Sequence, residues 1–260
     1  MKKLTLGEWG KQLPVGFLDG DKFNREFALR DLNFGVEREI QKGRPKESSR
    51  TLGSDTGYIL SKLLTSLGGQ KLDPDKPAEA QALLAKCWLA DVMYMWIWAR
   101  YMSCGDDLEI PFPCPYCDRV EDPPAKYGMK GFDVNTAEKV DELSHAYALK
   151  TPIEVRGQLV SVLRLQPPTW SIYMTASADD GEQDARVLTS IICGTDKHES
   201  ILLTDAEINR LRRPDYVGIK SWADKLTFGP KLLIEHECSS PQCKKTGKLL
   251  LNWSYDSFFS

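Results

Sequence analysis

The chain has 260 residues, with 34 Lys and Arg against 37 Asp and Glu, a formal net charge of −3, 42% hydrophobic residues and 27% charged ones. That length and balance suit one large or two modest globular domains and exclude a fibrous repeat or a wholly disordered chain. A small negative charge also argues against a general binder of the phosphate backbone, which needs a basic surplus.

In chain order, Lys2 and Lys3 are followed by no apolar run of signal-peptide length, because Glu8, Lys11 and Asp19 interrupt it. The chain is therefore expected in a reducing cytoplasm, where paired cysteines more often hold metal than form disulfides. Residues 1–20 show little period and read as an extended arm. Phe23, Phe27 and Leu29 mark one short strand over 23–30, and a short helix follows over 32–41. Residues 43–55 have loop composition. The stretch 56–67 reads as a helix stopped by Gly68 and Gly69.

Pro77 opens a long helix predicted to reach residue 102. Its second half carries Trp88, Met93, Tyr94, Met95, Trp96, Trp98 and Tyr101, so many large side chains that two readings stand at parity: a central helix buried by both halves of the chain, or a subunit interface. Asp91 and the shortness of the apolar run exclude a bilayer span. Beyond a Pro-rich boundary at 111–124, a strand is expected at 131–134 and a helix at 136–145. A hairpin follows over 153–165, turning at Gly157 and Gln158. Helices are expected at 169–177, 182–193 and 205–212, the last opened by the capping-box pair Thr204 and Glu207. A final helix at 220–228 and strands at 232–237 and 248–253 complete the order.

Four of the seven cysteines form two pairs at knuckle spacing, Cys114 with Cys117 and Cys238 with Cys243, each placed after a strand in a Pro- or Ser-rich turn. Such turns set two sulfurs on one side of the chain, about 2.3 Å from a shared tetrahedral ion. The 120 residues between the pairs far exceed the roughly 15–20 of a compact four-cysteine site, so a subdomain must be inserted between them. A redox-active C-x-x-C is the weaker reading, since no βαβ pattern surrounds Cys114. Cys104 is a candidate spare ligand, and His236, two residues before Cys238, a candidate substitute. Cys87 and Cys193 fall in apolar helical runs and read as core residues; His145 and His198 read as surface residues. No phosphate loop, nucleophile elbow or paired-histidine metalloprotease motif is present. The basic clusters at 42–50, Arg210 with Arg212 and Arg213, and Lys244 with Lys245 have acidic neighbours or sit in turns.

The run Leu13-Pro14-Val15-Gly16-Phe17, the strand ending in Leu29-Arg30, the acidic residues Glu37 and Glu39, the junction 165–169, the two cysteine pairs and the ending 251–259 together resemble T4-type phage baseplate and tail-assembly proteins in zinc-ribbon form. The resemblance implies a non-enzymatic component of a contractile tail or phage-like injection system. Its partners would be other tail or baseplate subunits, with self-association open, and it would assemble in the bacterial cytoplasm. The resulting expectation is an α+β protein with a helical N-terminal part at 1–107, a four-cysteine zinc ribbon at 108–122 plus 230–260, and an inserted α/β subdomain at 123–229. One structural Zn2+ per chain would be held by Cys114, Cys117, Cys238 and Cys243. The rival expectation is a zinc-ribbon regulator that binds nucleic acid, kept open by Lys244 and Lys245 beside a knuckle.

Overall fold

The computed structural model describes residues 1–43, 53–171, 174, 188–225 and 227–251, which form an α+β chain of small antiparallel sheets and short helices. The expected N-terminal arm is instead part of the core. β1 (Lys2–Thr5) runs into one helical turn, α1 (Leu6–Trp9), closed by a reciprocal cap between Thr5 and Glu8. Leu6, Leu13 and Val15 are fully buried. Three apolar residues spaced irregularly give no period to read, yet each reaches the interior.

The single strand expected at 23–30 is two. β2 (Phe17–Asp19) and β3 (Lys22–Asn24) form one hairpin, and β4 (Phe27–Leu29) joins another sheet. The chain changes sheets where the Arg25 carbonyl accepts from Leu13 N–H and that of Glu26 from Gly68 N–H. After α2 (Phe34–Gly43), the helix expected at 56–67 is α3 (Ser54–Leu63) followed by a strand, β5 (Leu64–Leu67), paired with β4 and with β6 (Gln70–Lys71). Gly68 and Gly69 do not stop a helix. Their φ values of 59° and 81° make the two-residue hairpin turn between β5 and β6, which needs left-handed backbone at both positions.

The long helix is also divided, into α4 (Pro77–Leu84) and α5 (Leu89–Cys104). No Pro or Gly marks the break. It is imposed from outside: Cys87 C=O accepts from Trp170 N–H, Leu89 N–H donates to Pro168 C=O, and Trp88 bridges to Thr169. Cys87 is thus a buried turn residue rather than a helical one. α5 is the centre of the larger core. From Leu89 to Ser103 none of its residues is exposed, and Tyr94, Met95, Trp96 and Ile97 are fully buried among residues of the same chain. The helix is thus central to this core, with Met93, Trp98, Tyr101 and Met102 only partly buried against it.

β7 (Asp107–Ile110) pairs with β8 (Ala125–Gly128), and β9 (Asp133–Thr136) pairs with β1 and with β13 (Gly229–Pro230), so 125–136 pack with the larger core. Where a helix was expected at 136–145, there is only a 3-10 turn, Val140–Leu143. A second core is built on β10 (His145–Val155), β11 (Gln158–Leu165) and β12 (Ile192–Thr195), with α6 (Asp205–Ile208) and α7 (Arg213–Lys225) against them. Its hairpin turns at Arg156 and Gly157, one residue before the expected pair. Leu149, Ile153, Val155, Val160, Leu163 and Leu165 supply the buried face. A register shift between Ala148 and Ile153 leaves Lys150 N–H without a strand partner, and buried Asp215 accepts it at 2.9 Å.

The capping box at Thr204 and Glu207 is present in both directions, and Glu207 also accepts from Arg156 N–H, fixing the hairpin turn. The helix expected at 220–228 starts earlier because Pro214 suits a first helical turn. Of the helix expected at 182–193, residues 192–193 are strand, which places Cys193 half-buried in β12; residues 181–187 lie outside the described residues. Most of the helix expected at 169–177, most of the loop at 43–55, and Trp253, Phe258 and Phe259 also lie outside them. Among the described residues no helix is long and apolar enough to cross a membrane.

Candidate metal centre

Each cysteine pair sits at the tip of an antiparallel stem. In the first, the chain continues from β7 through a bridge between Pro113 and Val120; Cys114 N–H donates to Arg119 C=O and Glu121 N–H to Phe112 C=O. Asp118, with φ 56°, turns the tip. In the second, β14 (Leu233–Glu237) and β15 (Thr246–Leu250) form the stem; Cys238 N–H donates to Lys245 C=O, and Cys243 and Lys244 N–H groups both donate to Ser240 C=O. Lys244 turns this tip with φ 45°. These short closures put both sulfurs of a pair on one side of the turn.

The two tips meet. The Sγ atoms of Cys114, Cys117, Cys238 and Cys243 all lie within 4.8 Å of one another. Cys114 Sγ is 3.8 Å from Cys243 Sγ, and Cys117 Sγ is 3.7 Å from Cys238 Sγ. A tetrahedron with metal–sulfur bonds of about 2.3 Å has edges of about 3.8 Å, so the cross-hairpin separations already match its edges. The residues expected to hold a metal are thus brought together, and they are the group of this kind among the described residues.

The electrostatics suit a cation. The N–H groups of Tyr116 and Cys117 approach Cys114 Sγ and, with Tyr116 contributing most, draw its thiol down to about 7. Ser240 N–H pulls Cys238 the same way, but desolvation and the thiols of Cys117, Cys114 and Cys243 outweigh it and push Cys238 up to about 12. Crowded thiols hold one another's protons until a positive charge replaces them. Four thiolates around one ion leave no open position, so such a centre stabilises structure rather than activating water.

The alternative ligands stand apart. Cys104 ends α5, exposed, and is outside the four-sulfur group. His236 is in β14, its ring 5.0 Å from that of Phe112 and 6.1 Å from that of Tyr127, with Nε2 3.7 Å from Glu121 Oε1. It packs the stems together instead of joining the thiols. His145 is exposed and stacks on Trp222, whereas His198 is half-buried. Sequence reasoning missed Glu121. It is 7% exposed, and hydrogen bonds from Ser239 hold its carboxyl below the usual range.

Gly247, paired with His236 across the second stem, packs against the first stem. A Cβ there would stand 2.7 Å from Pro115 Cδ and 3.0 Å from Phe112 Cε1, both parts of stiff rings. Gly247→Ala is therefore expected to separate the tips, at about 1–3 kcal/mol of overpacking. A lowered melting temperature and a weaker hold on added zinc, measured on the same preparation, check this.

No protein-family model matches the chain, and neither does a curated protein or a solved structure.

Proposed function

We propose that the chain is a non-enzymatic structural or assembly protein of a contractile phage tail or phage-like injection-system baseplate, organised by a structural zinc ribbon. The observation that carries the metal half is the group of four thiols within 4.8 Å, offered by two hairpin tips from distant parts of the chain. Four soft sulfurs in a tetrahedral arrangement suit zinc. In this reading Cys114, Cys117, Cys238 and Cys243 hold one Zn2+ per chain, and the ribbon is carried by 108–122 and 230–260, with 123–229 between them, of which 125–136 pair back onto the N-terminal part and the second core is the inserted body. The baseplate half is supported by the resemblance of the 13–17 and 29–39 segments and the cysteine pairs. Its partners would be tail or baseplate subunits, with a homo-oligomer as a second arrangement.

The rival, a nucleic-acid-binding regulator, is favoured by one feature. Tyr116 is exposed at the first tip, with Lys245 Nζ 4.9 Å from its ring centre and Arg119 and Lys244 exposed nearby. An aromatic edged by cations suits base stacking. Elemental analysis of the purified, reduced chain is expected to give about one zinc per chain. A folded, reduced and metal-free preparation would sink the ribbon. Purification with zinc retained, followed by mass spectrometry of what accompanies the chain, is expected to recover tail subunits. Salt-dependent DNA binding without them would favour the rival.

A further inference from the structure

Outside the sulfur group, the hydrogen bonding described between the two stems runs through one side chain. Glu121 belongs to the first stem, its own N–H donating to Phe112 C=O. Its Oε1 crosses the seam to accept from Ser239 N–H at 2.9 Å. Ser239 directly follows Cys238, so holding that N–H fixes the peptide plane leaving the ligand, and with it the direction in which Cys238 presents its sulfur. The next N–H, of Ser240, approaches Cys238 Sγ itself. The ring of His236 fills the rest of the seam between Phe112, Tyr127 and Glu121.

A buried carboxylate is costly unless it is hydrogen-bonded. Such a group persists where its hydrogen bond fixes geometry. We propose that Glu121 is the positioning residue of the four-thiol centre: its carboxylate oxygen seats Ser239 N–H so that Cys238 meets the metal already oriented. The proposal rests on the metal reading above and extends it. Glu121 touches no ligand atom and acts through the backbone of the second knuckle. A partner that orients a ligand in this way typically changes metal affinity by about 10–100-fold.

The test uses the full reduced chain, stripped of metal and titrated with Co2+ under anaerobic conditions, followed by displacement with Zn2+. Absorption from sulfur-to-cobalt charge transfer and from the tetrahedral ligand field reports the centre directly. Wild type is expected to bind one Co2+ with a four-sulfur tetrahedral spectrum. Glu121→Ala, which removes the acceptor, is expected to bind about 10–100-fold more weakly and with a shifted ligand-field band. Glu121→Gln keeps an acceptor oxygen and is expected to restore most of the affinity and the wild-type spectrum. Ile219→Ala, fully buried in the second core away from both tips, is expected to melt earlier with Co2+ affinity unchanged, separating positioning from general loss of stability.

Equal Co2+ affinity in Glu121→Ala and wild type overturns the proposal. Equal impairment of Glu121→Ala and Glu121→Gln also overturns it, since the acceptor would then not be what matters. A wild-type chain that takes up no Co2+ removes the centre itself, and that failure is distinct because it shows before any variant is made.

Discussion

Cys238→Ser is expected to reduce the zinc content from about one per chain to near zero and to lower the melting temperature sharply, whereas Cys104→Ser leaves both unchanged. One lost thiolate breaks a closed four-sulfur set, and structural zinc contributes apparent binding energies of about 10–16 kcal/mol in small zinc-binding peptides. Even a fraction of that is comparable with the 5–15 kcal/mol that separates folded from unfolded states of typical domains. The loss is expected at the knuckles, since β14 and β15 form a two-stranded sheet, and such a ribbon is marginal without support. Acid should mimic the substitution. Thiolates bind metal and thiols do not, so affinity falls as pH drops and protons return to Cys117 and Cys238, both of which hold theirs more tightly than usual. A chelating dye that reports released zinc, read alongside thermal melting, measures both effects.

Asp91→Ala is expected to destabilise the chain as severely without touching the metal. Asp91 is buried in the first turn of α5, where its carboxylate accepts from Val15 N–H at 2.8 Å and Gly16 N–H at 2.9 Å. Trp88 Nε1–H donates to Gly16 C=O from the same corner. Gly16 has φ 87°, and a Cβ there would stand 2.5 Å from the Asn24 carbonyl oxygen, so the loop has one available path. Removing the acceptor strands two buried N–H groups at about 1–3 kcal/mol each.

The pH dependence has a definite sign. Burial pushes the Asp91 carboxyl up from 3.8 to about 7, against the pull of the two N–H donors and of Arg25. Between those values the folded chain holds a proton that the unfolded chain has lost. Stability from this group is therefore fully present below about pH 4 and declines as pH rises towards 7, by on the order of 4 kcal/mol. Chemical denaturation across that range should show the decline in wild type, and Asp91→Asn should flatten it.

What was readable in the sequence and what was not divide along a physical line. The knuckle spacing of the cysteines, the capping box at Thr204 and the hairpin over 153–165, its turn read one residue late, are local, each decided by a few neighbouring residues. The break between α4 and α5 depends on Pro168, Thr169 and Trp170 supplying partners to Cys87, Trp88 and Leu89, so helical propensity at 85–88 was overruled by chain some 80 residues away. The same applies to 1–20, where β9 holds β1 and Asp91 holds Val15 and Gly16. Residues 64–67 have no helical partner to prefer once β4 is beside them. Glu121 carried no signal at all, because a single acid after a knuckle looks like any solvated charge until Ser239 is placed against it.

The distance in sequence between the two knuckles has a consequence in time. A ribosome adding about 5–20 residues per second needs on the order of ten seconds to pass from Cys117 to Cys238. Throughout that interval the nascent chain carries only half a site, two thiols that hold an ion weakly, while the whole second core emerges and folds. A four-thiol group therefore exists only after everything between the hairpins has been made and their tips have met.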